Sequence, residues 1–213
     1  MSRPARAFVA LAVVVALFHH VPAYTGGVGT WLDLLTPFAV AAAAAYGLRD
    51  GPRSAVAVGI AALVLYVDGH GIHLAANAIG HEDVGPAENT VEFWDEHWGH
   101  AEWHLGWLGM LAALSLADSA TPPRPSDRLL FGLGRVLLGS AVLTGFTLFT
   151  STVEGQDWWL TLAAAPVFAV WAATRRGAVL AASATAMLLA AALIGIWAAW
   201  HGGVPEFSEL GWL

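Results

Sequence analysis

The chain reads as an all-α, polytopic integral membrane protein: a single helical domain over residues 1–213 with seven transmembrane helices, an N-terminus in the cytoplasm and a C-terminus outside it. Three observations predict this. Hydrophobic residues make up 57% of the 213 and charged residues only 12%, with a mean hydropathy of +0.62. That leaves too little polar surface to coat a soluble domain of this size. Apolar runs of bilayer length recur from end to end. Of the nine cationic side chains, all arginine, eight fall beside alternate ends of those runs, and the ninth lies just inside one from the same side.

The runs, in order, cover 7–24, 31–48, 54–79, 94–116, 129–152, 158–174 and 178–200. The first follows Arg3 and Arg6. Its basic start and the small residues near Ala23 also resemble a secretory signal peptide, whose removal would leave six spans in the same orientation. The second and sixth are near the short limit and carry Pro37 and Pro166, which are expected to kink them while neighbouring helices satisfy the freed backbone groups. Arg49 and Arg53 separate the second from the third, Arg124 and Arg128 the fourth from the fifth, and Arg175 and Arg176 the sixth from the seventh. Arg135 lies one or two turns inside the fifth, close enough to snorkel back to the same side. By the positive-inside rule that side is cytoplasmic, so the protein is expected in the cell membrane as a multi-pass protein with the lipid bilayer as its first partner.

The opposite side carries Asp33, Glu82, Asp83, Glu88, Glu92, Asp95, Glu96, Glu154, Asp157, Glu206 and Glu209 and no arginine. The net charge of -7 is concentrated there, which argues against nucleic acid or anionic headgroups as partners on that side and suits cations arriving from it. Cysteine is absent, which excludes disulfides, iron–sulfur clusters and thiolate metal sites.

All nine histidines lie toward that acidic side, six of them in DGHGIHLAANAIGH, ending at His81, and HWGHAEWH, ending at His104. Projected at 100° per residue, Tyr66, His70, His73, Asn77 and His81 share an arc of about 80° on the third span, with Asp68 pointing nearly opposite. On the fourth span His97, His100 and His104 share about 60°, flanked by Trp94 and Trp98 on one side and Trp103 and Trp107 on the other, with Asp95 and Glu102 on the back. Consecutive spans joined by a short loop are expected to be antiparallel neighbours, so the two stripes can face each other. Depth at about 1.5 Å per residue favours His70, His73, His100 and His104 as the core of a site, with His81 and His97 nearer the water. His19, His20 and His201 fit interfacial positions, and the Ser140, Thr144, Thr147 and Ser151 stripe fits helix-to-helix packing. Asp68 has no evident cationic partner; it is expected to pair with His19 or His20, to reach a metal through local distortion at Gly69 and Gly71, or to stay protonated.

Imidazoles at i, i+3 and i, i+4 on two helices supply the three or four nitrogens typical of zinc, copper or iron. The candidate ligands are therefore His70, His73, His81, His97, His100 and His104, with Asp68 and Glu96 as candidate catalytic carboxylates and Asn77 as an orienting group. A haem with one axial histidine from each span is the alternative cofactor. The expected function is a metal-dependent membrane enzyme, hydrolytic or oxidative, that takes a lipid or other amphiphile from the outer leaflet. The alternative is a haem or metal carrier, or a cation transporter, against which stands the scarcity of polar residues in the inner half. GHGIHL, with WHLGWLG on the next span, resembles paired segments near the C-terminus of the third subunit of haem-copper oxidases, although here they lie mid-chain. In architecture, seven spans with a histidine site, the chain also resembles the intramembrane metal-dependent hydrolases that include alkaline ceramidases and adiponectin-receptor-like proteins. Those place a His-x-x-x-His pair on the last span, whereas His100 and His104 have that spacing on the fourth.

Overall fold

The computed structural model describes residues 1–21, 27–80, 85–120 and 130–212. Among the described residues there are no strands. The helices are α1 (Arg3–His20), α2 (Gly27–Leu48), α3 (Arg53–Gly80), the single-turn α4 (Glu88–Glu92), α5 (His100–Ser119), α6 (Leu130–Glu154), α7 (Trp158–Thr174) and α8 (Ala178–His201). A 3₁₀ turn at Gly85–Ala87 precedes α4, and a stretch of wide π turns at Phe93–Gly99 joins α4 to α5. Each of the seven expected runs overlaps one helix of 17 residues or more. Five helices are long and apolar enough to cross a membrane: Arg3–His20, Trp31–Leu48, Arg53–Ile79, Gly134–Glu154 and Ala178–His201. At 17 residues α7 is apolar but shorter. The first turns of α5 hold His100, Glu102 and His104 in place of apolar side chains. Pro37 and Pro166 both lie inside unbroken helical ranges.

Local chemistry sets the ends. Ser2 caps α1 by accepting from the Ala5 N–H at 3.2 Å, with Pro4 in the first turn, where its missing N–H costs nothing. The Ser2 hydroxyl also donates to Asp118 Oδ1 at 2.5 Å, and Asp118 Oδ2 accepts from the Val179 N–H at 3.0 Å. One carboxylate at the end of α5 thus ties down the start of α1 and caps α8, placing a negative charge on a helix N-terminus. Arg3 pairs with Asp50 beside it. At the far end α8 stops at Gly202, whose φ of 72° is the left-handed conformation that closes a helix.

Inside the bundle the most extensive pairing is α3 with α5. It is close because glycines face it: a Cβ on Gly106 would collide with the Tyr66 N and the Ala62 carbonyl, and one on Gly69 with the backbone of Trp103 and Gly99. Small residues that let backbones touch are the usual adhesive between apolar helices, where burial from water supplies no driving force. Tyr66, Trp107, Met110, Leu111 and Leu114 fill the core around this contact; α1, α2 and α8 pack against it, and α6 packs outside on α1 and α8. Ser140, Thr144, Thr147 and Ser151 of α6 are all buried, with Ser140 and Thr147 donating to carbonyls one turn back.

Gly106→Val is expected to destabilise the bundle by about 1–3 kcal/mol through overpacking, read as a lower thermal midpoint in detergent. Gly71→Ala, where a Cβ meets nothing within 4 Å, is expected to leave the midpoint unchanged or raised; equal losses in both variants would contradict the close α3–α5 packing.

Candidate metal centre

The π turns decide which side chains enter the site. A π turn bonds i to i+5, so it takes one more residue than an α turn to bring the chain round to the same face. The His100 N–H donates to the Asp95 carbonyl five residues earlier, and His100 Nδ1 makes a second bond to the same oxygen at 3.0 Å. Asp95, expected on the back of its helix, is thereby turned inward, and its Oδ1 accepts from His73 Nδ1 on α3 at 2.5 Å. His97, expected on the histidine face, is turned outward; it is exposed and stacks on Phe93, with centroids 6.0 Å apart.

Four imidazoles, His70, His73, His100 and His104, share one architecture. His70 Nε2 donates to the Asp33 carbonyl at 3.0 Å, His73 Nδ1 to the Asp95 carboxylate, His100 Nδ1 to the Asp95 carbonyl, and His104 Nδ1 to Asp157 Oδ2 at 2.6 Å. A carbonyl or carboxylate oxygen only accepts, so each of these ring nitrogens carries the proton, and the opposite nitrogen of a neutral ring is a bare lone pair. Among the described residues, His70 Nδ1 and His104 Nε2 are buried without a hydrogen-bond partner. Histidines that bind metals are held in the same way, one nitrogen donating to an oxygen and the other left free for the ion.

The donors do not all meet at one point. His73, Asp95 and His100 each bring a ligand atom to within 4.8 Å of the other two, with the two rings 4.4 Å apart. Glu96 stands at the rim, its Oε2 3.4 Å from His100 Nδ1. His70 and His104 stand behind this trio, and the indole of Trp103 packs against all four imidazoles, at centroid distances of 5.0 Å to His70, 5.6 Å to His73, 5.8 Å to His100 and 5.1 Å to His104. His19 completes the ring of contacts around that indole at 6.1 Å. Trp103, expected at the edge of the histidine stripe, is its centre.

Of the expected site residues, the structure thus brings together His70, His73, His100, His104 and Glu96. His81 lies outside the described residues. Asp68 is exposed on the other side of α3, beside Glu102 rather than His19 or His20. The α-helix runs unbroken through Gly69 and Gly71, so Asp68 keeps the helical phase that points it away from the histidines. Asn77 is exposed. His20 reaches Thr147 at 3.5 Å, and His201 packs on Trp197, 4.2 Å between centroids.

Three residues were missed from sequence: Asp33, Asp95 as an inward group, and Asp157. Asp157 occupies the N-cap of α7 yet makes no cap bond; its carboxylate is buried against His104. The turn before it holds Gln156 at a φ of 50°, with the Gln156 amide donating to the Val153 and Val204 carbonyls at 2.9 and 3.2 Å. Gly155 sits directly behind His100, where any Cβ would run into the imidazole.

The segment after α8 folds back over this end. Glu154 accepts from the Phe207 and Ser208 N–H groups at 2.8 and 3.3 Å, and the Trp197 indole N–H donates to the Pro205 carbonyl at 2.9 Å. Burial, and then the charge of Glu154, push the Glu206 carboxyl above its ordinary value of 4.5. Comparison with protein-family models, curated proteins and solved structures returns no match, so geometry alone carries the interpretation.

The Glu206 shift has a sign that can be tested. The docked tail holds this proton more tightly than the free tail, so its contribution is full below 4.5 and is lost as the pH rises through the raised value. Limited proteolysis is expected to release the tail faster at neutral than at mildly acidic pH, and Glu206→Gln to remove that difference; an unchanged pH dependence in the variant would assign it elsewhere.

Proposed function

We propose that the protein is a metal-dependent membrane enzyme whose centre is held by His73, Asp95 and His100, and that it acts on a lipid or other amphiphile entering from the bilayer. The observation that carries this reading is the convergence of those three donors within 4.8 Å of one another, backed by two buried imidazoles with bare nitrogens. Two histidines and one carboxylate leave coordination positions open, as catalytic zinc sites and non-haem iron oxygenases both require. Zinc there would supply a water activated for hydrolysis and iron would supply oxygen chemistry. The bare nitrogens of His70 and His104 lie on rings that neighbour His73 and His100, at 6.4 and 6.0 Å between centroids, each fixed in one tautomer by Asp33 and Asp157. A haem suits the site less well, because Tyr66 and Trp103 already fill the space between the helices.

In this reading all seven long helices span the membrane, with the arginine-bearing end in the cytoplasm and the centre in the outer half. The polar opening turns of α5 and the brevity of α7 are compatible with spans that line a site rather than face lipid on all sides. A carrier or transporter has no comparable support.

Protein purified after growth with zinc, iron and copper supplied is expected to carry one equivalent of zinc or iron, identified by elemental analysis. His73→Ala, Asp95→Ala and His100→Ala should each abolish retention, while His70→Ala and His104→Ala should weaken it by about 10–100-fold. His97→Ala should leave it unchanged, and Gly155→Ala should lower it by displacing His100. Metal-free protein under these conditions, or full retention in the first three variants, would overturn the assignment.

A further inference from the structure

The face of α3 turned away from the histidines bears a groove of about 670 Å3, lined by Ile60, Val64, Val67, Asp68, Gly71 and Ala75 among others. It follows the helix for about 22 Å, four turns, on a helix apolar enough to cross a membrane. Its ridges are exposed, Ile60 by 60% and Val64 by 61%. Gly71 and Ala75 are small residues one turn apart, the spacing at which two membrane helices approach closely, and a Cβ on Gly71 would meet nothing within 4 Å.

Asp68 interrupts this otherwise apolar surface, and Glu102 lies beside it across the α3–α5 seam, its Cβ 2.8 Å from where a Cβ on Gly69 would stand. Glu102 Oε2 is buried without a hydrogen-bond partner among the described residues. Two neighbouring carboxyls on an apolar face suit a cation. Among the described residues no arginine forms an ion pair with either. Nor does a second, parallel copy of the chain supply one. Asp68 is fifteen residues beyond Arg53, about 22 Å along α3, whereas Arg135 is only about 8 Å into α6 from the same end.

We propose that this groove docks a second membrane-spanning helix, from a different protein, that carries one lysine or arginine at the level of Asp68. A lone cation in hydrocarbon is costly, and such residues seek carboxylate partners inside the membrane. The groove supplies the apolar surface and close approach, and the carboxyl pair fixes depth and register. This site is separate from the histidine centre, which lies on the opposite face of α3.

The test uses the full chain in phosphatidylcholine vesicles, donor-labelled at Ser54→Cys, a unique thiol in a cysteine-free protein. The probes are acceptor-labelled leucine–alanine transmembrane peptides with either one central lysine or leucine at that position. Energy transfer is expected to saturate at a tenfold or greater lower density of the lysine peptide. Asp68→Asn with Glu102→Gln should abolish that preference, and Gly71→Leu, which fills the groove without touching the carboxyls, should weaken association of both peptides. Equal association of the two peptides, a preference that survives the double variant, or saturation of the groove by a second copy of the protein before peptide is added would each overturn the proposal. Thermal midpoints establish that the variants are folded, and Gly71→Leu supplies the answer if the double variant is not.

Discussion

The close approach of α3 and α5 determines what the acidic end of the molecule can be. Gly69, Gly99 and Gly106 let the two backbones touch, and only at that separation does the Trp103 indole lie against His70 and His73 of one helix while His100 and His104 flank it on the other. A wider interface would leave four imidazoles lining a gap. The narrow one makes Trp103 a spacer that holds them apart at fixed positions, buried with only 4% exposure. The seam thus fixes the positions of the donors as well as the packing of the helices. Gly155 extends the same logic to a third element, because the α6–α7 turn supports His100 from behind only where there is no side chain.

Local irregularity at that end has a common direction. Wide turns over Phe93–Gly99 weaken an otherwise regular helix, a left-handed Gln156 is uncommon for a residue with a side chain, and Asp157 forgoes capping its own helix. Each departure delivers a group to the histidines: the first delivers both oxygens of Asp95 that hold His73 and His100, and the other two deliver the Asp157 carboxylate to His104. At the arginine end the same kinds of group do conventional work. Asp118 caps one helix and Ser2 caps another. The contrast is consistent with the proposed site lying at the histidine end.

The helices and the core of the site were legible in the sequence because both rest on simple periodicities. Apolar runs interrupted by arginines give the helices, and His70, His73, His100 and His104 fall on common faces at 3.6 residues per turn. What the projection could not contain was a change of period. Extending 100° per residue back through the π turns put His97 inside and Asp95 outside, the reverse of what is found. Asp33 and Asp157 were hidden for a different reason. They come from helices distant in sequence, and Asp33 acts on His70 through its main-chain carbonyl, which every residue possesses. Asp68 was drawn toward the site by its place in the DGHGIH stretch, but residues two apart on a helix point to different faces, and Asp68 is exposed on the side of α3 where Glu102 packs.

A metal at the proposed centre would offset a cost that the histidine layer otherwise carries. A buried polar atom left unpaired costs about 1–3 kcal/mol, and His70 Nδ1 and His104 Nε2 are both in that position. A layer evolved only for packing would relieve them cheaply, since an aliphatic side chain at either position removes the unpaired atom and keeps the apolar contact with Trp103. The same positions instead carry imidazoles whose far nitrogens are each held by a dedicated oxygen, one from α2 and one from the start of α7. Those oxygens satisfy the buried ring N–H groups and in doing so fix the tautomer, which leaves the other nitrogen as a lone pair. A ring held in one tautomer with a bare lone pair is what the proposed metal centre would need.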